Sequence, residues 1–95
     1  MSNAAAAPFR VLVVDDEPMI RELVRGMLDG DGVEVHCAHD GETAVRDARE
    51  FRPDLVLLDL VLPGMDGVAV CRILKGDPSL TRVPIHALTA RAKPA

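Results

Sequence analysis

Four consecutive apolar residues, Leu55-Val56-Leu57-Leu58, run without alternation and end in a single carboxylate, Asp59. A strand with one wet face would alternate apolar and polar residues. An unbroken run of this length fits a parallel strand covered on both faces. Pro63-Gly64 then signals a turn, and a helix-like segment follows from Asp66-Gly67. Open parallel sheets gather their ligands outside the carboxyl ends of their strands. Asp59 therefore stands where such a sheet does its chemistry.

The rest of the chain supplies the other layers. Met1 to Pro8 carries little information and reads as a flexible leader or a cloning remnant, so residues 9–95 are taken as the domain. Arg10-Val11-Leu12-Val13-Val14 is a first buried strand that ends in Asp15-Asp16-Glu17. Pro18 suits the first turn of a helix, and an Asp before it suits a cap. Ile20, Leu23, Val24, Met27 and Leu28 recur at the spacing of one helix face, and Gly30-Asp31-Gly32 stops it. Val33 to Ala38 alternates partly, which predicts a second strand nearer a sheet edge. Ala44, Val45, Ala48 and Phe51 form a second helical stripe, ended by Arg52-Pro53. In the third helix Val70, Cys71 and Leu74 point inward while Arg72 and Lys75 point outward. Pro84 to Ala90 reads as a fourth strand with Thr89 near its end. The order is βαβαβαβ, with strand-to-strand steps of about 22 to 30 residues, the size of a crossover through one helix. Right-handed crossovers make this an α/β fold, a parallel sheet with helices on both faces.

Composition narrows the functions available. Apolar residues make up 48% of the 95, enough for a core, but with two Phe and no Trp or Tyr that core is aliphatic. Scarce aromatics exclude stacking platforms for single-stranded nucleic acid, and a net charge of −4 argues against direct DNA contact. No apolar run approaches membrane-spanning length, and no basic-then-apolar leader is visible. Cys37 and Cys71 form no metal or redox spacing and read as small buried hydrophobes in a reducing cytoplasm. His36, His39 and His86 show no metal spacing, and the glycines form no phosphate loop.

In a parallel sheet all strand carboxyl ends lie on one edge, so Asp15, Asp16, Asp59 and Thr89 can converge. Clustered carboxylates suit a hard divalent cation, and Mg²⁺ accepts one or two of them while keeping water and phosphate oxygens. A carboxylate can itself accept a phosphoryl group, giving an acyl phosphate. A hydroxyl opposite it can hydrogen-bond a phosphoryl oxygen and serve as a switch.

Four segments, Val11 to Glu17, Asp54 to Asp59, Leu62 to Gly67 and Pro84 to Ala90, together resemble the receiver domain of two-component response regulators. The resemblance runs from about Phe9 to Ala90. It implies a (βα)₅ fold of flavodoxin-like, CheY-like strand order. It implies that Asp59 accepts phosphate from a sensor histidine kinase or a phosphotransfer protein. Asp16 and Asp59, with the backbone carbonyl of Val61, would hold Mg²⁺, and Asp15 would act through a metal-bound water. Thr89 would contact the phosphoryl group and report its presence. No turnover of an external substrate is implied.

The chain departs from that family after Thr89. A fourth helix, a fifth strand and a fifth helix are expected there, yet only six residues follow. Lys93-Pro94 resembles the family's Lys-Pro pair, but the spacing leaves no room for a helix and a strand. Either the receiver is C-terminally truncated or Lys93 replaces the missing Lys from the tail. A truncated sheet would expose its fourth strand and part of one face, which predicts a homodimer or swapped assembly. The rival reading is a truncated or degenerate receiver that binds or dimerises without being phosphorylated. An aspartyl phosphatase of the haloacid dehalogenase type would need a second Asp where Val61 stands.

Overall fold

In a computed structural model, residues 7–62 and 64–88 are described. The elements follow the order β1 (Phe9–Val14), α1 (Pro18–Leu28), β2 (Val33–Ala38), α2 (Gly41–Phe51), β3 (Leu55–Leu58), α3 (Gly67–Lys75) and β4 (Ile85–Ala87). The strands form one parallel sheet in the order β2-β1-β3-β4. β1 and β3 are central, as their unbroken apolar runs require, and the partly alternating β2 lies at an edge. Val14 is in register with both Ala38 and Leu58, and Leu58 with Ala87, so four strands end at one level.

Side chains alternate between two faces of this sheet. On one, Leu12, Val14, Val56 and Leu58 pack against Ala44 and Ala48 of α2 and Val70 and Leu74 of α3. The small alanines let α2 lie close to the sheet, and full burial of each Leu or Val contributes about 1.5–3 kcal/mol. On the other face Val11, Val13 and Val35 are buried under α1, with Val24, Leu55, Leu57 and Leu88 partly buried around them.

Capping explains where the helices start. The Asp40 and Asp66 carboxylates accept hydrogen bonds from the Thr43 and Ala69 amides, at 2.8 and 2.9 Å, and so cap α2 and α3. The Asp40 carboxyl is held below its ordinary value chiefly by that Thr43 amide bond. α1 differs from the expected pattern. Its cap position is Glu17, which makes no side-chain cap bond, and Pro18 opens the helix.

The structure corrects the sequence reading at α1 and at the two cysteines. No residue of α1 is buried: Leu23 is 58% exposed and Met27 71%, because of the stripe only Val24 packs against the core on that face of the sheet. Among the described residues the fourth strand covers Ile85–Ala87, with Pro84 just before it, and the Leu88 amide still donates to the Leu58 carbonyl at 2.8 Å. The rest of the expected strand, Thr89 and Ala90, lies outside the described residues. Cys37 and Cys71 are half-buried free thiols rather than buried ones, and Cys37 accepts a 3.3 Å hydrogen bond from Arg25 Nη2. Thr89 and Lys93 lie outside the described residues. Among the described residues no helix is long and apolar enough to cross a membrane.

Candidate functional site

The sheet ladder continues one residue past the strands and carries two acids with it. The Asp15 amide donates to the Ala38 carbonyl at 3.1 Å, and the Asp59 amide donates to the Val14 carbonyl at 2.9 Å. With Val14 opposite Leu58, Asp15 and Asp59 leave neighbouring strand ends on the same side of the pleat. Both are buried, 4% and 1% exposed, while Asp16 on the following bend is exposed. One carboxylate oxygen from each of Asp15, Asp16 and Asp59 lies within 4.8 Å of the others.

Backbone donors hold these acids in place. Asp59 Oδ1 accepts from the Val61 amide at 2.9 Å, and Asp15 Oδ1 accepts from the Glu17 amide at 2.9 Å. Asp15 therefore organises its own turn rather than capping α1. The Arg21 guanidinium donates to the Asp15 carbonyl at 2.8 Å, which ties the first turns of α1 to the end of β1. Beyond Asp59 the chain loops out and returns, and the Gly67 amide donates to the Leu60 carbonyl at 3.0 Å. Val61, at the outward bend, is exposed.

Three carboxylates so close repel one another. Two unit charges about 4.8 Å apart at an effective dielectric of ~20 cost roughly 3–4 kcal/mol. A cluster of hard oxygens with two members buried and one open to solvent fits an ion such as Mg²⁺, which retains water on its open side. The donor set passes that test: it is all oxygen, without the thiolate or imidazole that would favour a softer metal.

Sequence reasoning anticipated that Asp15, Asp16 and Asp59 would converge, but it did not anticipate the Val61 amide bond to Asp59, Arg21 or Gly67. Arg21 sits among the helical stripe residues as an ordinary polar position, and nothing in the chain's pattern announces its bond six residues back. Gly67 was legible only as half of an Asp-Gly helix start. Its closeness to the Asp59 backbone is a property of the folded loop.

Comparison with known proteins agrees with this arrangement. The family model described as the response regulator receiver domain matches residues 11–95. The DNA-binding response regulator MtrA of Mycolicibacterium smegmatis is 50% identical over 82 residues, which cover 86% of this chain and 35% of the relative. The chain thus spans about a third of that relative's length. Among solved structures, the chemotaxis protein CheY4 of Vibrio cholerae superposes with a TM-score of 0.84 at 33% identity, covering 93% of this chain and 73% of that one. The receiver domain of the sensor histidine kinase PA1611 from Pseudomonas aeruginosa, described with a magnesium ion coordinated in its active-site cleft, gives 0.82 at 38% identity, with 90% and 70% coverage. Receiver domains are signalling modules rather than metabolic enzymes, and the sheet order, the acid-lined strand ends and these matches agree: the chain belongs to the response regulator receiver domain family.

Proposed function

We propose that residues 9–95 are the receiver segment of a two-component relay and that Asp59 is its phosphoryl acceptor. The observation that carries this reading is the convergence of Asp15, Asp16 and Asp59 at the carboxyl edge of the sheet. Asp59 and Asp16, with the Val61 carbonyl, would hold Mg²⁺, and Asp15 would do so through a bound water. When present, the ion supplies positive charge against the incoming phosphoryl oxygens.

The donor is a phosphohistidine on a sensor histidine kinase or a phosphotransfer protein. An Asp59 carboxylate oxygen attacks phosphorus, the P–N bond breaks, and the imidazole leaves with the electron pair. The product is an aspartyl phosphate. Attack by water later returns the carboxylate and inorganic phosphate, so no external substrate is turned over. The Val61 amide, bonded to Asp59 Oδ1, orients the carboxylate for this attack. Thr89 is proposed to contact the bound phosphoryl group and to carry the change outward to protein contacts. Nucleic acid is not read as a direct partner of these residues, although the MtrA relative is named DNA-binding.

We also infer self-association. β4 pairs on one side only among the described residues, and Phe9, Met19, Leu23, Met27 and Val68 are exposed.

Intact mass after incubation with acetyl phosphate and Mg²⁺ tests the acceptor reading. The expected result is a gain of one phosphoryl group that Asp59→Asn abolishes. No gain at any Mg²⁺ concentration would overturn it and leave a receiver fold acting only through protein contacts.

A further inference from the structure

The loop between Asp59 and α3 is closed at both ends by contacts that leave no room for a methyl group. A Cβ built on Gly67 would lie 2.3 Å from Leu60 Cα, 2.6 Å from the Asp59 carbonyl oxygen and 2.9 Å from the Leu60 carbonyl carbon. All three atoms are backbone, so no rotamer change relieves the overlap. The Gly67 amide also donates to the Leu60 carbonyl at 3.0 Å, which pins the returning chain against the residue after Asp59. At the first residue of α2, a Cβ on Gly41 would lie 2.8 Å from Val70 Cγ2, 3.0 Å from Met65 Cβ and 3.2 Å from Met65 Sδ. Met65 belongs to the same loop, and Gly41 is buried against it.

We propose that Gly67 and Gly41 are positioning residues, fixing the Asp59–Met65 loop so that the Asp59 carboxylate and the Val61 carbonyl face one ion and one phosphoryl group. The inference rests on the reading of Asp59 as acceptor. The physical link is short: Gly67 abuts the carbonyl of Asp59 itself, and Val61, two residues on, donates to Asp59 Oδ1. Moving that backbone by the several tenths of an ångström that a methyl requires shifts both groups. Displacements of about an ångström at reacting groups cost up to about a hundredfold in rate.

The test compares Gly67→Ala with two controls. Gly26→Ala adds a methyl that meets nothing within 4 Å. Leu74→Ala removes core packing about two turns along α3 from Gly67 and sets a reference loss of stability. Mg²⁺ affinity by calorimetry, the initial rate with acetyl phosphate at saturating Mg²⁺, and the Val61 amide shift by NMR are read for each. Gly67→Ala is expected to weaken Mg²⁺ binding and slow phosphorylation by about tenfold or more and to move the Val61 amide. The folded fraction of Leu74→Ala should keep wild-type values. Gly67→Ala that only loses stability, tracking Leu74→Ala, would overturn the proposal. If Gly67→Ala does not fold, Gly41→Ala decides: its methyl meets only side chains, and a loss of about threefold supports the proposal while wild-type affinity overturns it. A wild type that binds Mg²⁺ but takes no phosphate would refute the acceptor reading alone. The Mg²⁺ affinities and the Val61 amide still decide the positioning role.

Discussion

Asp59 is an acid at 1% exposure whose Oδ1 accepts the Val61 amide and whose carboxylate lies close to those of Asp15 and Asp16. A cation held by this cluster, as proposed, would offset the repulsion among its carboxylates, and that coupling to folding can be measured. In excess chelator, Asp16→Asn removes a repelling charge at an exposed position and should unfold within about 1 kcal/mol of the wild type, or later than it. With Mg²⁺ at about a hundred times its dissociation constant, the wild type should gain about 2.7 kcal/mol. Asp16→Asn should gain much less. The gap between the two melting curves would then shift in favour of the wild type on adding Mg²⁺, and equal gains would argue against Asp16 as a ligand.

Helix α2 contributes a second, independently testable carboxylate. Asp40 caps it through the Thr43 amide, and that bond holds the Asp40 carboxyl below its ordinary 3.8. A group lowered on folding stabilises the fold above its unfolded value, and the contribution fades as pH falls through the folded value. Asp40→Ala should therefore cost about 1 kcal/mol at neutral pH, with the deficit against wild type shrinking below about pH 4. Asp40→Asn retains a capping oxygen and should lose little at pH 7. Urea unfolding at pH 7 and pH 3 reads both. The helices also differ in what their apolar stripes do. Leu23→Ala on the exposed side of α1 should cost no more than about 0.5 kcal/mol. Leu74→Ala in α3, 2% exposed, should cost about 2–5 kcal/mol. The two stripes look alike as sequence. Burial depends on what the sheet presents opposite each, and α1 packs on the core of that face through Val24.

At the scale of the whole molecule, the described sheet is covered unevenly. α2 and α3 share one face and contact each other, whereas among the described residues α1 alone lies over the other. Between α3 and β4 a mostly apolar groove of about 420 Å³ is lined by Leu58, Leu60, Val68, Cys71, Ile85 and Ala87, with Arg72 and Lys75 at its edge. Together with the one-sided pairing of β4 among the described residues, this surface predicts concentration-dependent association. Sedimentation equilibrium across the micromolar range should show a mass rising above the monomer. A constant monomer mass of 10.2 kDa would contradict it.

The sequence by itself determined the parallel sheet, its central and edge strands, and the acids at its carboxyl edge. Those follow from local rules: unbroken apolar runs mark strands buried on both faces, crossover-sized spacing makes them parallel, and parallel strands end on one side. Asp15, Asp16 and Asp59 were therefore legible as a group before any coordinate was known. What only the tertiary structure decided is how that group is held. Arg21 reaching the Asp15 carbonyl, Asp15 bonding its own turn instead of capping α1, and Gly67 pressed against the Asp59 carbonyl all join residues that no periodicity relates. Such contacts are set by the path of a loop through space. A side chain's type announces what it can bond, and only the folded backbone determines which partner comes within reach.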